Sequence, residues 1–307
     1  MTRHTEVRVR VPASSANLGP GFDTLGLALA RYDEVYACTA DEGLVVEVAG
    51  QGAEVVPLDE GHLVVRAMRA AFEAFGDTPR GLRLRCTNHI PHGRGLGSSA
   101  AAAVAGAVAA AALVGRDLEA ERDTVLQVAS VLEGHADNAA ASLLGGFVVA
   151  WKSPGKSDGD CGNNGWAYGA ARLEPHERLR PVALIADVES STVATRRLLP
   201  ERVPLEDAAF TASRSALSVC AFTARPELLF AATEDRLHQP YRRPAYPASA
   251  DLVDRLREHG VPAVISGAGP TVLALLTDSE LPIDVVGAGF TPAPLPVDRA
   301  GAVVERG

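Results

Sequence analysis

The chain has 307 residues, a formal net charge of −9, 47% hydrophobic and 22% charged residues, a balance that describes a globular protein large enough for a substantial core. The acidic surplus, without any Lys/Arg cluster, argues against a nucleic-acid partner, and the alanine-rich run 100–115 is too short for a membrane span, so no membrane partner is expected. Cys38, Cys86, Cys161 and Cys220 lie far apart with no CxxC, and the N-terminus has no apolar signal core, which together suit reduced thiols in a cytoplasmic protein.

Residues 6–11 alternate Val7, Val9 and Val11 with Arg8 and Arg10, which predicts a strand. The string Pro12-Ala13-Ser14-Ser15-Ala16-Asn17-Leu18-Gly19-Pro20-Gly21-Phe22-Asp23 follows. It is dense in turn formers, and Asn17 and Asp23 can either cap a tight turn or face a ligand. Short strands are predicted at 25–29, 34–39 and 44–48. The apolar spacing of Leu63, Val64, Ala67, Ala71 and Phe75 predicts an amphipathic helix over 62–75, closed by Gly76.

A strand at 82–86 leads into Pro91-His92-Gly93-Arg94-Gly95-Leu96-Gly97-Ser98-Ser99-Ala100-Ala101. Alternate glycines permit positive φ and close backbone approach to a ligand. Two serines before a run of helix formers put Ser98 or Ser99 at a helix start, whose unpaired N–H groups and dipole suit phosphate. The plain alternative is a glycine-rich turn entering a buried helix. No lysine follows the last glycine, so this is not a P-loop, and no acidic ribose partner follows at dinucleotide spacing.

A helix is predicted over 119–133, ending in Glu133-Gly134-His135-Ala136-Asp137-Asn138 with Gly134 as its cap, and a strand over 145–151. Residues 152–168 are rich in Gly, Ser, Asn and Asp, which reads as a solvated loop between domains 1–151 and 169–307. Beyond it come a strand at 182–187, helices at 205–223, 226–233 and 249–258, and a strand at 272–276. The Pro- and Gly-rich tail 281–307 has no predicted element. Without a regular βαβ rhythm, the class is α+β.

PxxxGLGSSAA resembles the phosphate loop of the superfamily of galactokinase, homoserine kinase, mevalonate kinase and phosphomevalonate kinase (GHMP kinases). The loop alone implies an ATP-dependent phosphotransferase for a small molecule and leaves the substrate open. Four further strings resemble homoserine kinase motifs: the Asn17–Asp23 segment (PATSANLGPGFD), the Glu133–Asn138 segment (EGHxDN), residues 191–200 (STxxARxxLP, with Thr195 replacing Ala) and residues 238–242 (HEPYR, with Gln239 replacing Glu). Ser266-Gly267-Ala268-Gly269-Pro270-Thr271 matches the superfamily's C-terminal glycine motif. The likeness spans roughly residues 7–276.

That resemblance implies a two-domain fold: an N-terminal domain like domain 2 of ribosomal protein S5, a ferredoxin-like C-terminal α/β sandwich, and the site between them. It implies ATP held by His62 and the loop Pro91, His92, Gly93, Arg94, Gly95, Leu96, Gly97, Ser98, Ser99, Ala100 and Ala101. His62 stands where the family commonly has Asn beside the adenine. Mg²⁺ would be held by Ser98 and Glu133. L-homoserine would meet Asn17, Asp23, His135, Arg196, Arg242 and Gly267. Asp137, Asn138 and Thr192 would lie at phosphoryl transfer, with Asp137 a candidate base in a reaction that can proceed without one. A zwitterionic substrate needs an anion for its ammonium and cations for its carboxylate, roles that suit Asp23, Arg196 and Arg242. The resemblance further points to threonine biosynthesis and a homodimer. Another kinase of the superfamily, acting on mevalonate or shikimate, would not require Asn17, Asp23 and His135. A non-catalytic metabolite sensor would not require the complete phosphate loop with Glu133.

Overall fold

The computed structural model describes residues 6–155, 165–190 and 192–306. Its strands are β1 (Glu6–Ala16), β2 (Leu25–Ala40), β3 (Gly43–Gly50), β4 (Gly81–Asn88), β5 (Phe147–Pro154), β6 (Trp166–Leu173), β7 (Arg180–Ala186), β8 (Ala263–Ile265), β9 (Val272–Leu276), β10 (Phe290–Pro294) and β11 (Val303–Arg306). Its α-helices are α1 (Leu63–Phe75), α2 (Ser98–Leu113), α3 (Arg122–Glu133), α4 (Asp137–Leu144), α5 (Thr192–Arg196), α6 (Leu205–Thr223), α7 (Leu229–Ala232), α8 (Gln239–Arg242) and α9 (Pro247–Glu258).

A seven-stranded sheet runs β11-β1-β2-β4-β3, with β5 and β6 branching from β2, and a four-stranded sheet runs β10-β7-β9-β8. β2 is one 16-residue strand where two short ones were expected. It is long because it changes partner: Leu25, Gly26 and Leu27 pair with β5, while residues 34–40 pair with β4. The β1–β2 register shifts between Pro12 and Ala13, which lets the sheet bend there.

The two sheets divide the chain differently from the expected segments. Trp166, Ala167 and Tyr168, assigned to the connecting loop, pair with Pro154, Ser153 and Lys152 in the first sheet. The unassigned tail supplies β10 to the second sheet and β11 to the first, where Val7 pairs with Arg306. The pairings of β10 and β11 join residues distant in sequence, so local periodicity does not reveal them.

α2 is buried on every face and packs against α1, α3, α4 and β1. Its alanines keep neighbouring backbones close, and Gly106 sets the closest approach. A Cβ there would lie 2.4 Å from the Val64 carbonyl oxygen and 2.8 Å from Ala67 Cβ. α1 ends as expected, with Gly76 at φ 70° and the Asp77 N–H donating to the Phe72 carbonyl. Phe147 of β5 stacks on Phe222 of α6 at 4.7 Å, fastening the two halves into a shared core.

Gly106→Val is expected to destabilise the protein by about 2–3 kcal/mol, the usual cost of forcing a branched side chain into a filled interior. Urea unfolding measures it. An unchanged midpoint would mean that α1 and α2 are not in the close contact described.

Candidate active site

The glycine loop joins β4 to α2 and is held from behind. Gly93, Gly95 and Gly97 have φ of 63°, 75° and 70°. A Cβ on Gly95 would stand 2.2 Å from the Ser266 carbonyl oxygen, and one on Gly97 would stand 2.2 Å from Ser14 Oγ. These two glycines therefore let the loop press against the protein, while both also line the cavity. Hydrogen bonds close the packing. Ser14 N–H donates to the Leu96 carbonyl (3.1 Å), Ser266 Oγ to the Gly95 carbonyl (2.6 Å), and Gly267 N–H to the Ala16 carbonyl (2.9 Å). The turn at 266–271, the end of β1 and the phosphate loop thus form one assembly, with the start of α2 facing a cavity of about 370 Å³.

Ser98 and Ser99 occupy the first turn of α2, after Gly97 at the cap position. Ser99 Oγ donates to Glu133 Oε2 at 2.8 Å. Glu133 closes α3 just before Gly134, whose φ of 79° ends that helix as expected. Burial pushes the Glu133 carboxyl up from its ordinary range, while the Ser99 hydroxyl and His135 oppose that rise. The structure thus pairs Glu133 with Ser99, while Ser98, expected to share a Mg²⁺ ion with Glu133, lines the cavity with both.

His135 also lines the cavity, and its Nδ1 lies 3.0 Å from Asp137 Oδ1. Burial alone would lower the imidazole. The Asp137 carboxylate beside it, with Glu133 and Asp23 adding, pushes it up to about 9, which favours the cation at neutral pH. Asp137 itself is 1% exposed and does not line the cavity. Its Oδ1 also accepts from the Asn138 N–H at 2.8 Å. It therefore orients His135, and the expectation of a base facing substrate is corrected. It opens α4, a helix not foreseen because eight residues show too little periodicity. Asn138 does face the cavity and accepts from Ser14 Oγ at 3.0 Å.

The other expected substrate residues gather on one side. Asn17, at φ 54°, donates from Nδ2 to the Gly267 carbonyl (3.1 Å) and accepts from the Asp23 N–H (2.8 Å), so it holds the turn. Arg196 binds Asp23 with two hydrogen bonds, 2.6 and 3.0 Å. The two residues expected to take opposite ends of a substrate therefore hold each other. Phe22 lies between Arg196 and Arg242, whose guanidinium carbons stand 5.2 and 5.0 Å from its ring centre. Arg242 is 1% exposed, and its Nε and Nη1 have no hydrogen-bond partner among the described residues. The HQPYR string is organised by Asp235, which accepts from the N–H groups of Leu237, His238 and Gln239. Gln239 Oε1 accepts from the Ile265 N–H at 2.8 Å, a bond a glutamate could also accept.

At the other side, His62 caps α1 and lines the cavity with Val56, Pro57 and His92. Burial and His92 hold its imidazole below the ordinary histidine range. Ala100 and Ala101 are fully buried in α2 and do not reach the cavity. Thr192 begins α5, and its side chain lies outside the described residues. Among the residues not anticipated are Phe22, signalled only by adjacency to Asp23, and Asp33, which lines the cavity from β2.

Gly97→Ala should strain a left-handed backbone and crowd Ser14, weakening ATP binding about tenfold or more by displacing the loop. Calorimetry checks it. Because the collision is with Ser14 Oγ, adding Ser14→Ala should recover part of the affinity. No recovery would return the glycine to a direct role in ligand approach.

Residues 62–146 match the family model for the GHMP kinases N terminal domain, and residues 222–288 match that for GHMP kinases C terminal. A homoserine kinase of Streptomyces avermitilis is 50% identical over 305 residues, covering 98% of this chain and 96% of that one. One of Rhodococcus erythropolis is 54% identical over 286 residues, covering 92% and 89%. The crystal structure of homoserine kinase from Cytophaga hutchinsonii matches with a TM-score of 0.83 at 26% identity, covering 99% of both chains. Mevalonate diphosphate decarboxylase from Staphylococcus aureus, at 16% identity and a TM-score of 0.67 over 98% of both chains, shares the fold. With half its residues identical to relatives of the same length, and the phosphate loop, the second glycine turn and the arginine pair assembled on one cavity, the chain belongs to the homoserine kinases of the GHMP superfamily.

Proposed function

We propose that the cleft transfers the γ-phosphoryl group of ATP to the hydroxyl of L-homoserine, giving ADP and O-phospho-L-homoserine. The observation that carries the substrate assignment is Arg242, a buried guanidinium with two unpaired nitrogens. An unpaired buried cation is costly, and a carboxylate matching its planar fork removes that cost.

The Asp23–Arg196 pair explains how an amino acid is recognised. Both side chains are about a third exposed or more, so their mutual attraction is worth about 1 kcal/mol or less. A zwitterion offers Asp23 an ammonium and offers Arg196 and Arg242 a carboxylate, replacing one ion pair with two. A ligand carrying only one of the charges would break the pair and leave one member alone. His135, charged and held by Asp137, can donate to the substrate from its other nitrogen. Phosphates fit the start of α2, where the N–H groups of the first turn lack helical partners.

The donor set also fits Mg²⁺. Glu133 supplies one carboxylate and Ser98 and Ser99 supply hydroxyls, hard oxygen ligands in the small number that this ion takes from protein when it also binds phosphate. Bound there, Mg²⁺ would neutralise charge on the phosphates. Asp137, buried and turned to His135, is not placed to accept the substrate proton directly. Rate enhancement then rests on alignment and charge stabilisation, which suffice for phosphoryl transfer.

A coupled ADP-release assay should give the highest kcat/KM with homoserine among homoserine, serine, threonine, mevalonate and shikimate. Preference for mevalonate or shikimate would overturn the assignment. Asp23→Asn should lower kcat/KM for homoserine about 10- to 150-fold, the value of one charge-assisted hydrogen bond, and change little for 4-hydroxybutyrate, which lacks the amine. Equal losses on both substrates would make Asp23 purely structural. Arg242→Lys should also impair homoserine turnover, because it keeps the charge and loses the fork. Glu133→Gln should lower kcat by about 100-fold or more at saturating Mg²⁺ with the fold intact. An unaltered kcat would remove Glu133 from the metal site.

A further inference from the structure

The glycine loop is anchored at both ends by carboxylates. At its end, Glu133 accepts from Ser99. At its start, Asp33 of β2 accepts from the N–H groups of His89 (2.6 Å) and Ile90 (2.8 Å). Both bonds use the same Asp33 oxygen, Oδ1. Its second oxygen, Oδ2, makes no hydrogen bond among the described residues, and Asp33 lines the cavity although it is only 4% exposed. Around it the wall is formed by Val56, Pro57, His62 and His92, far less charged than the side carrying Arg196, Arg242 and Glu133. His62 Nδ1 is buried without a hydrogen-bond partner among the described residues.

A nucleotide with its phosphates at the start of α2, and its phosphoryl acceptor on the arginine side, has its base on the Asp33 side. That wall offers flat apolar contact and, at Asp33 Oδ2, a carboxylate oxygen with no hydrogen-bond partner among the described residues. We propose that Asp33 Oδ2 accepts a hydrogen bond from the exocyclic 6-amino group of the ATP base, making Asp33 the residue that selects 6-amino over 6-oxo purines. This rests on the reading of the cleft as an ATP site. A 6-oxo purine would present its carbonyl oxygen to a carboxylate, acceptor against acceptor. A purine with hydrogen at position 6 would bury the carboxylate without a donor. Asp33 does this while its other oxygen holds the loop, so base and phosphate recognition share one side chain.

The shared role gives a diagnostic substitution. In Asp33→Asn the amide oxygen must still face the His89 and Ile90 N–H groups, so the NH₂ group takes the position of Oδ2. An acceptor becomes a donor with the loop support kept. Calorimetry on the ligand-free protein, with Mg²⁺ and without any phosphoryl acceptor, should be run with ATP, ITP and purine riboside triphosphate. Wild type should bind ATP about tenfold or more tightly than purine riboside triphosphate, with ITP weaker still. In Asp33→Asn the ratio of ATP to ITP affinity should fall about tenfold or more, with ITP binding improved in absolute terms. Equal binding of ATP and purine riboside triphosphate by wild type would overturn the proposal without any variant. A uniform loss in Asp33→Asn, leaving the ATP to ITP ratio unchanged, would also overturn it and leave Asp33 as a loop support only. Failure of wild type to bind any of the three would overturn the ATP reading itself, whereas failure to turn over homoserine would leave this binding test unaffected.

Discussion

The contact of backbone on backbone at Gly95 and Gly97 is what the rest of the cleft depends on. Side chains there would meet the Ser266 carbonyl and Ser14 Oγ at 2.2 Å, so the loop can lie against the turn at 266–271 and the end of β1 only because neither residue has one. Once seated, it fixes the direction of α2, because Gly97 is that helix's cap residue. It also brings the two halves of the chain together. Gly267 bonds Ala16, Ser266 bonds Gly95, and Asn17 bonds Gly267, so second-half residues complete a site that begins in the first strand. Hydrogen-bonded backbone in a close-packed setting moves little, which suits a reaction that relies on alignment.

The electrostatics follow from this placement. The α2 terminus faces a cavity lined by a buried guanidinium with two nitrogens unpaired among the described residues, while carboxylates at Asp33 and Glu133 hold the loop's two ends. The charges facing the cleft are thus of both signs and only partly satisfied internally. An arrangement of that kind favours ligands that themselves carry separated charges, and it gains most when such a ligand excludes water. Pairing of Asp23 with Arg196 keeps two of these groups satisfied without substrate at little energetic cost, because the pair is substantially exposed.

Several histidines in the protein show how the same side chain takes different states by environment. His135 is raised by carboxylates on either side of it in sequence, Glu133 and Asp137, whereas His62 is lowered by burial in an apolar wall beside His92. His238 is fully buried and contacts the Gly19 carbonyl through Nε2 at 2.7 Å, fastening the segment that carries Phe22 and Asp23 to the helix that carries Arg242. Desolvation holds it below the ordinary histidine range. The histidine raised by its carboxylate neighbours faces the proposed transfer point, and those lowered by burial serve the base wall and the packing.

The α+β class, the helices at α1, α2 and α6, and the glycine turn that opens α2 were legible in the sequence, because each rests on local spacing or on residue types within one short string. Turn formers also marked the Asn17–Asp23 segment and the Gly134 helix end correctly. What tertiary structure decided was the direction of side chains and the pairing of distant segments. Asp137 sits beside Asn138 in sequence, yet one faces His135 and the other the cavity, because α4 rotates them apart. Ser98 and Ser99 are equivalent as letters, and the position of α3 selects Ser99 for Glu133. Pairing of β11 with β1 unites residues about three hundred positions apart, and Asp33 becomes part of the site only because β2 passes beneath the start of the loop. Local sequence determines which conformations and which chemistry are available. Burial, register and partner choice are set by contacts that close only when the whole chain is packed.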